Sequence, residues 1–193
     1  WALSECLLVD GPRVIVTAGG AKALLAALDK RTGETVWASV PLRLGLTSTP
    51  AHERLAEPAG DVDSASYASP ILFPLGSRRM IVNCSLRHVF GADADTGELL
   101  WSRPMLTRHK VLATTPVRVD DAVFVTGPDG EGGKLFRVRA EGRGVNVETV
   151  WRSDLDSCQG GAVFADGALW GAMYRQRKAW VNLDPKTGAV RYE

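Results

Sequence analysis

The chain is short of the residues on which most site chemistry depends. Its 193 residues hold three cysteines and three histidines, and neither set is clustered. Cys6, Cys84 and Cys158 lie far apart, so the Cys-x-x-Cys spacing of zinc or covalent haem sites is missing. Each cysteine reads as a small, semi-buried apolar residue, and the odd count leaves at least one thiol free in a monomer. His52, His88 and His109 share no His-x-x-x-His or Glu-x-x-His pattern. His52 and His88 suit ordinary surface positions, and His109, between Arg108 and Lys110, suits an exposed loop. There is no Gly-x-Ser-x-Gly elbow and no Walker-type phosphate loop. The glycine-rich residues 127–133 include Asp129 and Glu131 but lack EF-hand spacing, and they read as an inter-strand loop.

Charge of one sign and long apolar runs are also missing. With 23 basic and 22 acidic residues the formal net charge is +1, which leaves no electrostatic footprint for nucleic acid or a membrane surface. The cluster Arg175-Gln176-Arg177-Lys178 reads as a solvated turn. No segment approaches the roughly 18 apolar residues of a bilayer span. Helical periodicity is absent too: the nearest stretch, residues 21–28, is short and follows Gly19-Gly20. An apolar content of 45% nevertheless suffices for a substantial core. No signal peptide or initiator methionine precedes Trp1, so the chain reads as a processed or excised piece.

What is present is a repeat. Asp29-Lys-Arg-Thr32-Gly33-Glu-Thr-Val-Trp37, Asp93-Ala-Asp-Thr96-Gly97-Glu-Leu-Leu-Trp101 and Asp184-Pro-Lys-Thr187-Gly188-Ala-Val-Arg-Tyr192 keep one nine-residue pattern in register. Each follows a short apolar run, so each reads as strand, tight turn, strand. The Asp carboxylate serves nearby backbone amides, and Gly takes the positive φ that other residues resist. The closing aromatic is large enough to wedge between sheets.

The alignment extends upstream. Strand-like runs begin at Cys6, Pro70, Pro116 and Ala162, with steps of 64, 46 and 46 residues. Residues 45–66, rich in Thr, Ser, Pro and Ala, account for the longer first step. The third unit lacks the Asp-Thr-Gly turn, carrying Arg139-Ala-Glu-Gly-Arg-Gly144 instead, yet it still reaches Trp151. Four consecutive units of four strands with a periodic aromatic describe an all-β propeller built of antiparallel blades. The blades span about residues 1–40, 66–104, 113–153 and 158–193, with 41–65 an inserted loop. An immunoglobulin-like sandwich is the structural runner-up, but it does not explain an internal repeat.

The Asp-x-x-Thr-Gly-x-x-x-Trp signature resembles the tryptophan-docking motif of pyrroloquinoline-quinone (PQQ)-type repeats. These build the seven- and eight-bladed propellers of quinoprotein dehydrogenases and of the outer-membrane assembly lipoprotein. The resemblance implies that four blades are about half of a ring, the remaining blades of the same protein covering the exposed ends. Closure on itself or by dimerising is the alternative. It also implies export to the bacterial periplasm, secretion or a cell-surface location. Because the same blades carry scaffolds and catalysts, two functions follow from it. One is a non-catalytic scaffold that binds protein or carbohydrate partners. The other is part of a PQQ-dependent dehydrogenase oxidising alcohols or sugars, with PQQ and Ca²⁺ as cofactors by resemblance only. No cofactor is evident from the residues themselves. The adjacent cysteines of the methanol-type enzymes are missing, and Trp170 and Trp180 read as packing residues of the fourth blade.

In a propeller the residues leading into the innermost strands ring the mouth of the central channel. Here these are Ser4-Glu5, Tyr67-Ala-Ser69, Thr114-Thr115 and Gln159-Gly160-Gly161. Glu5 and Gln159 can bind a cation or a sugar hydroxyl, Tyr67 can stack, and Arg108 or His109 can reach in. The plainer reading is that small residues let four strands crowd the axis. The candidate positions are therefore Glu5, Tyr67, Thr115, Gln159 and His109.

Overall fold

A computed structural model describes residues 4–43, 62–142, 144–175 and 177–193. Much of the proposed 41–65 insertion, and with it His52, lies outside the described residues, as does Gln176. Sixteen strands form four separate four-stranded antiparallel sheets, each in simple sequence order. The first blade is β1 (Leu8–Asp10), β2 (Arg13–Val16), β3 (Ala26–Asp29) and β4 (Thr35–Ala38). The second is β5 (Ile71–Leu75), β6 (Arg78–Cys84), β7 (His88–Asp93) and β8 (Leu99–Pro104). The third is β9 (Val117–Val119), β10 (Ala122–Gly127), β11 (Gly132–Glu141) and β12 (Gly144–Ser153). The fourth is β13 (Ala162–Ala165), β14 (Ala168–Ala172), β15 (Trp180–Leu183) and β16 (Val190–Tyr192). No helix occurs among the described residues.

The three Asp-x-x-Thr-Gly turns are superimposable in their bonding. Asp29 Oδ1 accepts the N–H groups of Arg31 and Thr32 at 2.8 and 3.0 Å. Asp93 does the same for Asp95 and Thr96, and Asp184 for Lys186 and Thr187. The glycine N–H then returns to the Asp carbonyl at 2.8–2.9 Å in all three. The φ values of Gly33, Gly97 and Gly188 are +75°, +76° and +72°, the left-handed region that a side chain resists. These bonds favour the ionised acid. The Thr32 and Arg31 amides hold the Asp29 carboxyl below the usual carboxylate range. For Asp184 the Arg191 guanidinium leads, followed by the Lys186 amide.

Every blade carries a β-bulge at the same place. The register between third and fourth strands shifts at Ala27/Leu28, Gly91/Ala92, Leu135/Phe136 and Asn182/Leu183. In each case the last pair before the shift contains the aromatic: Trp37, Trp101, Trp151 or Tyr192. A bulge turns the strand and re-aims its side chains. The third blade bulges like the rest although it lacks the Asp-Thr-Gly turn.

The core lies between blades rather than within them. One cluster joins the first and second blades through Ile15, Ala27, Ile81 and Phe90. A second joins the second and third through Met80, Trp101, Val123 and Phe136. The third joins the third and fourth through Phe124, Trp151, Leu169 and Val181. Among the described residues no buried apolar cluster joins the fourth blade to the first.

Across each seam the aromatic reaches into the following blade. A Cβ on Gly97 would lie 2.4 Å from the Trp37 ring, and one on Gly188 would lie 2.5 Å from the Trp151 ring. Glycine is needed there for both backbone and space. Trp151 also donates its Nε1–H to Pro185 O at 2.9 Å and packs on Phe124 at 5.5 Å. Trp101, facing a blade without the motif, packs on Phe136 instead, with ring centroids 6.3 Å apart. Trp170 packs inside the fourth blade, edge-on to Tyr192 with ring centroids 5.5 Å apart, but both it and Trp180 remain open to solvent. They are 39% and 79% exposed on its outer face, because pairing with Val163 and Ala172 turns them away from the third blade.

The cysteines divide sharply. Cys84 is fully buried in the second seam, and burial pushes its thiol far up. Burial and the neighbouring Asp129 carboxylate raise Cys158 as well. Cys6, expected to be semi-buried, is exposed. Thiolate is the reactive form, so native protein should react quickly with a disulfide reagent at Cys6. Cys84 should become reactive only on unfolding, a difference read by peptide mapping after timed labelling. Rapid native labelling of Cys84 would refute this packing.

Candidate functional site

In a four-stranded meander the lead-in to the first strand and the loop between second and third strands lie at one end. All five sequence candidates belong to that end. The four lead-in segments lie side by side in chain order. Cys6 N–H bonds Ser69 Oγ at 2.9 Å, joining the first to the second. Tyr67 N–H bonds Leu112 O at 3.1 Å, tying the second to the chain that enters the third. A Cβ on Gly161 would sit 3.9 Å from Thr114 Cβ, so the third abuts the fourth.

The side chains of the candidates do not converge on one point. Glu5 is half-buried, and its Oε1 accepts the Thr17 N–H at 2.5 Å while Oε2 accepts the Asn83 amide at 3.4 Å. Tyr67 and Thr115 are half-buried, whereas Gln159 and His109 are exposed. His109 lies in a tight turn closed by Lys110 N–H to Thr107 O at 3.1 Å. Asn83, not singled out from sequence, is the hub: it is fully buried, and its Nδ2 also donates to Thr17 Oγ1 at 2.7 Å and to Ala68 O at 3.4 Å. Its Oδ1 is buried with no hydrogen-bond partner.

A second polar knot sits beside the first. Asp63, 1% exposed, receives Ser85 Oγ–H at 2.6 Å and Arg87 N–H at 3.1 Å on Oδ2. His88 Nδ1 stands 2.8 Å from the same oxygen. His88 is thus no ordinary surface histidine: it opens β7, half-buried, against a carboxylate. The backbone there is equally committed, with Asp63 N–H to Leu42 O and Gly20 N–H to Asp63 O. Gly19 permits the crossing, since a Cβ there would lie 2.2 Å from Ala65 N. A buried Asp so engaged is invisible to motif reading because, apart from the adjacent Ser64 N–H, its partners come from residues 22 to 25 positions later.

The opposite end is held by charge. Arg13 and Arg79 each bond both Asp10 and Asp95, at 2.6–2.9 Å, in a closed quartet across the first seam. The Arg13 hydrogen bond, then that of Arg79, keeps the Asp95 carboxyl below its usual range.

The fit of PQQ and Ca²⁺ can be judged from the donor set. Calcium takes six to eight oxygen ligands, but Glu5 faces N–H donors from Thr17 and Asn83. Among the described residues no three His, Cys, Asp or Glu side chains gather to hold a metal. Glu5 is thus committed to hydrogen bonds within the fold. Trp180 opens β15 at the mouth end, and Trp170 lies further along the same outward face of the fourth blade.

Four-stranded blades, an aromatic closing each, and at two of the three seams a Thr-Gly seat in the next blade define a PQQ-type repeat β-propeller. The family described as "Outer membrane protein assembly factor BamB" matches residues 2–193. With nearly the whole chain matched, it belongs to that family. No curated protein matches it. No helix among the described residues is long and apolar enough to cross a membrane.

Proposed function

We propose that the chain is a non-catalytic propeller module that presents a protein-binding face at the channel mouth, within the periplasm or at the bacterial cell surface. The observation that supports this most is the use made of Glu5. The one acid among the mouth candidates is bonded to Thr17 and Asn83, so it joins blades instead of waiting for a substrate. Around it, exposed Gln159 and His109 offer a rim for protein contacts. Interfaces commonly combine such a polar rim with a more apolar centre. The family description, an outer-membrane protein assembly factor, makes a component of outer-membrane assembly the first partner to test.

A photo-crosslinker placed at Gln159 or His109 in living cells should trap one defined protein. The same probe at Asp120 or Asp166, in turns at the other end, should not. Equal trapping from both ends would overturn the reading. So would PQQ- and Ca²⁺-dependent dye reduction with alcohols or aldoses by the full-length protein, which is the outcome of the dehydrogenase alternative.

A further inference from the structure

The formal net charge of +1 conceals an uneven distribution between the two ends of the blades. At the mouth end the acids are turned inward or already engaged. Asp156 and Asp63 are 0% and 1% exposed, and Glu5 serves Thr17 and Asn83. Glu131 is tied to Lys134, and the Asp129 side chain is 6% exposed against Arg175. Asp154 is the one exposed acid of the mouth segments among the described residues. The bases of the same segments are outward: Lys22, Arg43, Arg108, Arg175, Arg177 and Lys178 are all exposed. At the opposite end the exposed bases share the surface with exposed Glu34, Asp95, Asp120 and Asp166.

The mouth bases gather about the β10–β11 turn. On one side a Cβ on Gly127 would stand 3.0 Å from Thr107 Cγ2, which sets the turn carrying Arg108 and Lys110 against that hairpin. On the other side Arg175 Nη1 lies 3.3 Å from Asp129 Oδ1, with its side chain still 52% exposed. The same guanidinium covers the exposed Tyr174 ring at 5.5 Å. Lys110 holds a φ of +53°, a conformation uncommon for a lysine. Thr107 Oγ1 fixes that turn by accepting the Val111 N–H at 2.8 Å. Arg177 is paired with Glu193 at 2.9 Å. Arg108, Lys110 and Lys178 have no ion-pair partner among the described residues.

We infer that this rim takes an acidic segment of a protein partner, its carboxylates meeting Arg108, Lys110, Arg175 and Lys178 around the β10–β11 turn. The inference rests on the protein-binding reading of the mouth, but its own observation is separate: bases outward and acids inward, at one end only. A face of one sign attracts its opposite and speeds encounter. A guanidinium can also hold a carboxylate through two hydrogen bonds at once. Two basic clusters on either side of one turn suit an extended chain that carries several carboxylates.

Fluorescence anisotropy of a labelled decaglutamate peptide on the full-length protein tests this. Binding is expected at low salt and should weaken about tenfold or more at about 0.15 M, where charges are screened beyond roughly 8 Å. Arg108→Glu, Lys110→Glu and Lys178→Glu together should abolish it. The milder set Arg108→Gln, Lys110→Gln and Lys178→Gln should weaken it about tenfold. Arg31→Glu, Arg139→Glu and Lys186→Glu, at the opposite end, should change it less than about twofold. Absence of peptide binding at low salt overturns the inference. So does an equal loss from the opposite-end set, or tighter binding to phosphatidylglycerol vesicles than to the peptide. In cells, a crosslink from Gln159 that survives the mouth charge reversal overturns the acidic partner and leaves the docking face standing. No crosslink from the parent overturns both.

Discussion

Replacing Trp151 with alanine should lower the unfolding free energy by about 3–5 kcal/mol, the usual cost of truncating a large buried aromatic. Trp151 is 9% exposed and is clamped by three separate contacts: the Gly188 backbone, the Phe124 ring and the Pro185 carbonyl. Phe124 lies on β10 and Pro185 and Gly188 in the β15–β16 turn of the next blade, so the cavity left behind cannot collapse by one side chain shifting. The loss also falls on one seam. Repeat proteins are stabilised by contacts between neighbours, so the fourth blade should unfold ahead of the other three. Guanidinium denaturation followed by far-ultraviolet circular dichroism and by hydrogen exchange checks this. Early exchange in β14 and β15, with β6 and β7 still protected, is the expected pattern. A loss below about 1 kcal/mol, the range of ordinary surface changes, would show that the aromatic merely decorates the seam.

Asp63→Ala should cost at least about 3 kcal/mol, although Asp63 belongs to no motif. A hydrogen bond to a charged group contributes about 1.5–3 kcal/mol, and a donor left buried and unpaired adds its own desolvation penalty. Here the Arg87 N–H and His88 Nδ1 lose their shared oxygen, while Ser85 Oγ can still turn to His88 O at 3.2 Å. Asp63→Asn retains one acceptor oxygen and should cost less. The discriminating measurement is exchange of the Arg87 amide, which should accelerate in the alanine variant before global unfolding. An unchanged Arg87 amide would mean that the knot is held by backbone bonds alone.

The division between what sequence could and could not supply follows the range of the interactions. The nine-residue motif was legible because its hydrogen bonds close within five residues, from Asp29 to Glu34 for example. Strand order was legible for the same reason, since each hairpin pairs neighbours in sequence. The third blade was recognisable only through Trp151, because its extended β11–β12 hairpin replaces the motif turn. The mouth was less accessible. Glu5 could be placed at a strand lead-in, but its partner Asn83 lies 78 residues away in a strand that reads as ordinary. His88 looked like a surface residue because Asp63, its buried partner, lies inside the long insertion of residues 41–65. Trp170 and Trp180 are more exposed than blade packing would leave them for another reason. Their sequence is that of a packed blade, and only the absence of a facing sheet among the described residues leaves them exposed.

The bulge shared by all four blades has a consequence for engineering. It sets the angle at which the aromatic leaves its strand, on the fourth strand just after the turn and independently of which turn joins the two strands. The third blade demonstrates that independence: its hairpin runs on to Glu141 and Gly144, and a Cβ on Gly142 would meet nothing within 4 Å. That tip is therefore a permissive graft point, where an epitope or a fluorophore can be spliced in without disturbing the phase between neighbouring blades.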